Sequence, residues 1–201
     1  MAYSNWTLGT VQKVFELETV PARGLFAETE PVAPSAALTK ALEKKTPLAF
    51  AIGTEKAKSE LIVADILVEL CEHFDYRVSL FSGIDFNVDT ENDLNGVCDF
   101  LISLSPDQFS MAAPVIILLE AKRDNLTEGL GQCVAEMLAA QRFNAEEGND
   151  IPCIYGSITS GLNWLFLKLE DKKLSIDMAV YQLAQCEKIL GILASMVKQT
   201  A

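Results

Sequence analysis

The chain has 201 residues, the size of one ordinary domain, and half of them are hydrophobic, so a sizeable core can be buried. Lys and Arg number 16 against 28 Asp and Glu, and the resulting net charge of −12 excludes binding of nucleic acid by bulk charge. A single histidine, His73, excludes Cys₂His₂ zinc fingers, His-ligated metalloproteases and two-histidine phosphoesterases, and no two cysteines are spaced as CxxC; metal chemistry here has to rest on carboxylates, which favour Mg²⁺, Mn²⁺ or Ca²⁺.

The five cysteines, Cys71, Cys98, Cys133, Cys153 and Cys186, are odd in number, widely spaced and set in apolar stretches. They read as buried, reduced thiols of a cytoplasmic protein. The first residues lack the basic and apolar regions of a secretory signal. The longest apolar run, Met111 to Leu119, is too short to span a bilayer.

Residues 1–54 read as an N-terminal extension packed on the core. It comprises a weakly helical stretch from Trp6 to Leu17, a three-proline loop from Val20 to Pro34, and a helix capped by Ser35 that runs to about Lys45. Residues 55–201 read as the main domain. Its first element is a helix from Glu55 to Phe74, where 100° per residue gathers Asp65, Glu69, Glu72 and His73 on one face. The opposite face carries Val63, Ala64, Leu67, Leu70, Cys71 and Phe74, with Glu60 in its middle. Either Glu60 bends away to solvent in the first turn, where it favours the helix dipole, or it is a carboxylate held inside a site.

Three strands follow, Arg77–Val88, Val97–Ser105 and Val115–Ala121. The last opens on an unbroken apolar run, Val115 to Leu119, suited to a central strand covered on both faces. Thr127 to Glu147 is a helix ended by Gly148-Asn149. Ile151–Thr159 and Asn163–Glu170 are strands joined at Ser160-Gly161, Lys172–Ile176 is a short extra strand, and Met178–Gln199 is a closing helix. The order predicts an α/β domain with a mixed central sheet flanked by helices. Val115–Ala121 should connect to Ile151–Thr159 by a right-handed parallel crossover.

Asp99 begins the second strand, and Glu120 with Lys122 ends the third. Pairing 99 with 120 centres the connecting turn between residues 109 and 110, and the loop from Pro106 to Pro114 is centred at 110. A hairpin therefore sets Asp99 beside Glu120, and the two-residue spacing puts Glu120 and Lys122 on one face. Two opposed carboxylates repel unless a cation lies between them. An ion pair between Asp99 and Lys122 at a fraying sheet edge is the plainer account.

Asp99, a spacer of twenty residues, then Glu120-Ala121-Lys122 resembles the D…(D/E)-x-K signature of the PD-(D/E)xK nuclease superfamily. The element order is similar to that superfamily's restriction-endonuclease-like αβββαβ core over roughly Glu55 to Glu170, with Cys98 in place of the proline. The resemblance implies that Asp99, Glu120 and the Ala121 carbonyl hold Mg²⁺ or Mn²⁺. Oxygen ligands suit those ions, which polarise a phosphodiester and lower the pKa of bound water. It implies that Lys122 orients or deprotonates that water and offsets developing negative charge. It also implies an acid from the first core helix, matched by Glu60, and a glutamine on the helix after the third strand, matched by Gln132. A tyrosine four residues after that glutamine is common in the family; here Glu136 stands in its place and is not carried into the site.

Two other patterns fail. Asp85-x-Asn87-x-Asp89 imitates an EF-hand loop, but Thr90 and Gly96 occupy the places of the required Gly and Glu. Gly129-x-Gly131 imitates a dinucleotide loop without its third glycine. Lys56, Lys58, Lys122, Arg123 and Arg142 form a local basic rim on an acidic chain. The expected function is a metal-dependent nuclease, catalytic through Asp99, Glu120, Lys122, Glu60 and Gln132, with DNA or RNA as substrate and no membrane partner. The alternatives are a catalytically inactive relative serving as an interaction or nucleic-acid-sensing module, and a homodimer driven by the apolar C-terminal helix.

Overall fold

The structure, a computed structural model, describes residues 2–200; Met1 and Ala201, the outer ends of the two expected segments, lie outside them. Its strands are β1 (Glu18–Ala22), β2 (Ser79–Asp85), β3 (Val97–Ser103), β4 (Val115–Ala121), β5 (Ile154–Thr159), β6 (Asn163–Glu170), β7 (Lys173–Asp177) and β8 (Tyr181–Gln182). They form one eight-stranded sheet in the order β1-β7-β6-β5-β4-β3-β2, with β8 pairing on β6. β4 runs parallel to β5, and β1 parallel to β7; the other pairs are antiparallel, so the sheet is mixed.

β4 is buried at every position, as its run of Val, Ile and Leu requires. Its alternate residues enter two cores. Ile117 and Leu119 join Phe100, Ile102, Tyr155 and Phe166 under α2 (Ala36–Ile52), α4 (Ala64–His73) and α6 (Cys186–Thr200). Leu118 joins Leu101, Ile158, Leu165 and Leu167 under α5 (Leu130–Glu146) and α1 (Leu8–Phe15). Helices therefore cover both faces, and the chain is of the α/β class expected.

Local chemistry fixes the helix ends. Thr7 and Ser35 accept hydrogen bonds from the Thr10 and Leu38 amides and start α1 and α2. Gly53, with φ of 70°, turns the chain out of α2. Thr54 then caps α3 (Glu55–Lys58), which continues through a π-helical turn, Ser59–Val63, into α4.

Four expectations need correction. The chain before Pro34 is not all loop: Glu18–Ala22 pairs with β7 at the sheet edge, where Pro21 is tolerated because its missing donor is not needed inside the sheet. α2 passes Lys45 and includes Pro47, whose lost bond leaves only the exposed Glu43 carbonyl unmatched. The strand expected over Arg77–Val88 is shorter, Ser79–Asp85; beyond it the Phe86 and Val88 amides still bond the Gly96 and Leu94 carbonyls, in a turn closed by the Asp89–Leu94 bridge. The closing helix begins at Cys186 rather than Met178. Asp177 accepts from the Ala179 amide at 3.0 Å and the Tyr181 hydroxyl at 3.1 Å, which keeps the intervening chain extended and pairs Tyr181 with Trp164. The apolar residues of α6, from Ile189 to Val197, are buried within this chain, so they are not a free surface for dimerisation.

One side chain anchors the start of β4. Buried Asn144 on α5 accepts from the Val115 amide and donates to the Val115 carbonyl, both at 2.7 Å. Replacing it by Leu strands a buried donor and a buried acceptor at about 1–3 kcal/mol each. Asn144→Leu should lower the urea midpoint without changing the denaturant slope, which an equilibrium unfolding curve measures.

Candidate active site

The β3–β4 hairpin has the register that the turn arithmetic requires. Phe100 pairs with Leu119, Leu101 with Leu118 and Ile102 with Ile117; the register slips only beyond Ile102, at the far end from the carboxylates. One more step sets Asp99 opposite Glu120. Asp99 does not extend the ladder with its side chain idle: its Oδ2 accepts from the Ala121 amide at 2.8 Å.

Glu120 lies at the end of β4 with 2% of its surface exposed. Lys122, two residues on, donates from Nζ to Glu120 Oε1 in a close ion pair. α5 crosses the same face and brings in Gln132, whose Nε2 donates to Glu120 Oε2 at 2.7 Å while its Oε1 faces Lys122 Nζ at 3.3 Å. Of the rejected dinucleotide pattern, Gly129 lets the start of α5 come close to Lys122, and Gly131 admits the N-terminal segment on the outer side. A Cβ on Gly129 would stand 3.2 Å from Lys122 Cγ, and one on Gly131 would stand 2.2 Å from the Trp6 carbonyl oxygen.

The electrostatics are those of crowded acids. Glu120 is pushed up to about 8, chiefly by burial and then by the charge of Asp99, with Lys122 pulling the other way. Lys122 is raised: burial alone would lower it, but Glu120, Glu55 and Asp99 together outweigh that. Wholly buried Glu136 is raised well above the usual carboxylate range by burial and by Glu120.

The first core helix contributes differently from expectation. Buried pairs recur every four residues from Ile62-Val63 through Ile66-Leu67 to Leu70-Cys71, but five residues separate Ala57-Lys58 from Ile62-Val63. The π turn takes up the extra residue, and a uniform 100° wheel fails across it. Glu60 is thereby exposed, with 62% of its side chain accessible, and pairs with Lys56 at 3.7 Å. It does not join Glu120. Lys58 turns inward instead, donating to the Arg123 carbonyl at 2.6 Å and to Asp124 at 3.0 Å, and so ties this helix to the loop after β4. The acid of this helix whose charge reaches the site is Glu55, which raises both Glu120 and Lys122.

The expected basic rim is mostly consumed. Lys58 and Lys122 are paired, and Arg142, ten residues beyond Gln132 and about 15 Å along α5, bonds Asp89 and sits over the Phe15 ring. Lys56 and Arg123 stay exposed, beside Glu60 and Asp124. Among the described residues no three His, Cys, Asp or Glu side chains are gathered as a metal-holding group. Asp99, Glu120 and the Ala121 carbonyl offer oxygen donors only, the chemistry Mg²⁺ accepts, and that ion commonly binds one or two carboxylates and keeps several waters. No helix among the described residues is long and apolar enough to cross a membrane. Comparison with protein-family models, with curated proteins and with solved structures finds no match.

The site makes stability depend on pH with a defined sign. The folded chain holds the Glu120 proton up to about 8, whereas the unfolded chain releases it near 4.5. Folding therefore binds a proton in that window, and stability falls as pH rises through it. Each such group contributes up to about 1.4 kcal/mol per pH unit; Glu136 is shifted in the same direction. Thermal melts of metal-free protein between pH 5 and 8 should show this decline. Glu120→Gln should flatten it by one proton's worth, and an unchanged slope would place the titration elsewhere.

Proposed function

We propose that the protein is a metal-dependent phosphodiesterase of the restriction-endonuclease-like type, acting on DNA or RNA. The observation that carries this reading is the buried Glu120 held between Lys122 and Gln132, with Asp99 opposite it in register. The succession of α3–α4, β2, β3, β4, α5 and β5, with β5 parallel to β4, supports it as well. One ammonium, Lys122, faces the acids Glu120, Asp99 and Glu136, so the charge balance there favours a further cation.

The donor set fits Mg²⁺ or Mn²⁺: Asp99 and Glu120 would hold the ion, with the Ala121 carbonyl beside them. Bound there, such an ion polarises a phosphoryl oxygen and lowers the pKa of its water. Lys122 keeps its proton, because three surrounding acids raise its pKa. Its role is therefore a fixed positive charge that offsets negative charge developing on the substrate, not that of a base. Gln132 fixes the direction of Glu120 by holding Oε2, and Lys58 holds the loop that carries Arg123 and Asp124 against the first helix.

A non-enzymatic binding module is the second reading, favoured by the fact that both oxygens of Glu120 already accept hydrogen bonds within the chain. Two measurements separate them. With Mg²⁺ or Mn²⁺ the protein should cleave single-stranded or duplex DNA or RNA, and Asp99→Ala, Glu120→Ala and Lys122→Ala should each slow it by about 10²–10⁴. Glu60→Gln should leave the rate nearly unchanged, because Glu60 is exposed, pairs with Lys56 and does not touch Glu120. Independently of any substrate, Mg²⁺ at ten times its dissociation constant should stabilise the protein by about 1.4 kcal/mol. That corresponds to a melting shift of about 3–6 °C. Absence of both cleavage and shift leaves the module reading.

A further inference from the structure

The geometry assigns a role to a carboxyl that the sequence pattern leaves out. Glu136 lies four residues beyond Gln132 on α5, on the same face, and is wholly buried. Its Oε1 accepts from Gln132 Nε2 at 3.2 Å, and its Oε2 has no partner. An unpartnered buried polar atom lowers stability. Val134, Met137 and Leu138 show what packing alone selects in this part of the helix.

A carboxamide has nearly the same shape at both ends, so its partners decide which end points where. Gln132 Nε2 has two hydrogens; one goes to Glu120 Oε2 at 2.7 Å and the other to Glu136 Oε1. Its Oε1 meets the Lys122 ammonium. Turned over, Oε1 would face carboxyl oxygens and Nε2 would face a cation. Lys122, which can only donate, favours this orientation from one side at 3.3 Å, but Glu120 adds nothing to it when protonated, because a protonated Glu120 donates to Gln132 Oε1 as readily as an ionised one accepts from Nε2. Glu136 adds to it from the other side: Oε1 accepts from Nε2 when the group is ionised, and also when its proton sits on the unpartnered Oε2.

We propose that Glu136 is a positioning residue, whose Oε1 keeps the Gln132 carboxamide turned with its donor toward Glu120 and its acceptor toward Lys122. The catalytic consequence rests on the phosphodiesterase reading; the positioning itself does not. The test compares the full chain with Glu136→Gln, which keeps an oxygen acceptor, and Glu136→Met, which has none; Glu136→Leu repeats the second case should Met not fold. Side-chain amide signals of Gln132, assigned by their loss in Gln132→Leu, are followed by ¹⁵N NMR with hydrogen exchange. Cleavage is followed with Mn²⁺ across pH 6–9. In Glu136→Met the Gln132 amide protons should shift and lose exchange protection. The same variant should lose about 10–100-fold in kcat with little change in KM, as partners that orient a ligand residue do. Glu136→Gln should restore both to near wild type. Unaltered Gln132 signals in the Met variant would overturn the proposal, as would a Gln variant as impaired as Met, which would make the charge of Glu136 the essential feature. Should the wild type cleave nothing, the phosphodiesterase reading fails, and the NMR comparison still decides for or against the positioning role.

Discussion

A carboxylate at the end of a strand covered on both faces is the constraint around which the rest of the site is arranged. Burial of a charge without partners costs more than the packing of one side chain returns. Glu120 meets that cost with one cation from its own strand, Lys122, and one neutral donor from α5, Gln132. Both oxygens are then occupied, yet Asp99 and Glu136 add two further acids against the single ammonium. Burial first, and then the charge of Asp99, keeps Glu120 high in pKa, and the imbalance is relieved either by a proton or by a cation. Stability alone gives no reason to retain such an arrangement, whereas a site exchanging proton for metal does.

The close approach of α5 is what makes these contacts feasible, and small residues beneath it permit the approach. A Cβ on Gly156 would stand 2.5 Å from Met137 Sδ, so the floor of β5 must be bare where the helix lies on it. On the outer side the N-terminal segment crosses the helix start at Gly131. Tyr3 is buried there, donating to the Phe86 carbonyl at 2.6 Å, and its hydroxyl is pushed well up by burial and by the neighbouring Cys98 and Glu136. Tyr3 thus lies near enough to Glu136 for the two groups to interact electrostatically, and Trp6 and Thr7 cover the start of α5 at Gly131. They belong energetically to the site although they stand outside the αβββαβ succession.

The elements legible in the sequence were those whose burial is uniform. β4 and β6 have the boundaries their apolar runs indicate, and the hairpin register follows from loop length because one residue of slip would turn every side chain over. Asp99, Glu120, Lys122 and Gln132 are brought together accordingly. Where the sequence misled, a local device changed the phase. A π turn moved Glu60 outward and Lys58 inward, and nothing in the composition of Ser59–Val63 announces five residues where four are usual. Asp177 held Met178 to Tyr181 extended through side-chain bonds that no hydrophobic period reveals. Glu136 was visible as a polar residue four positions after Gln132, but only the sheet packed beneath α5 shows that this face is buried.

The distribution of charge around the site bears on how an acidic chain would engage a polyanion under the proposed function. Of the two cations left exposed near it, Lys56 stands beside Glu60 and Arg123 shares Asp124 with Lys58, so three cations meet two carboxylates and leave only a small positive field. Lys58 and Lys122 are directed at the protein's own oxygens. Attraction of phosphate to this site would therefore come chiefly from a divalent ion, which Asp99 and Glu120 would hold and which would make the local potential positive. The same ion would offset the repulsion that raises Glu120 and would let that group ionise. Metal occupancy, release of the Glu120 proton and affinity for phosphate would then be linked: each favours the others, and in the metal-free state the site repels the substrate it is proposed to cut.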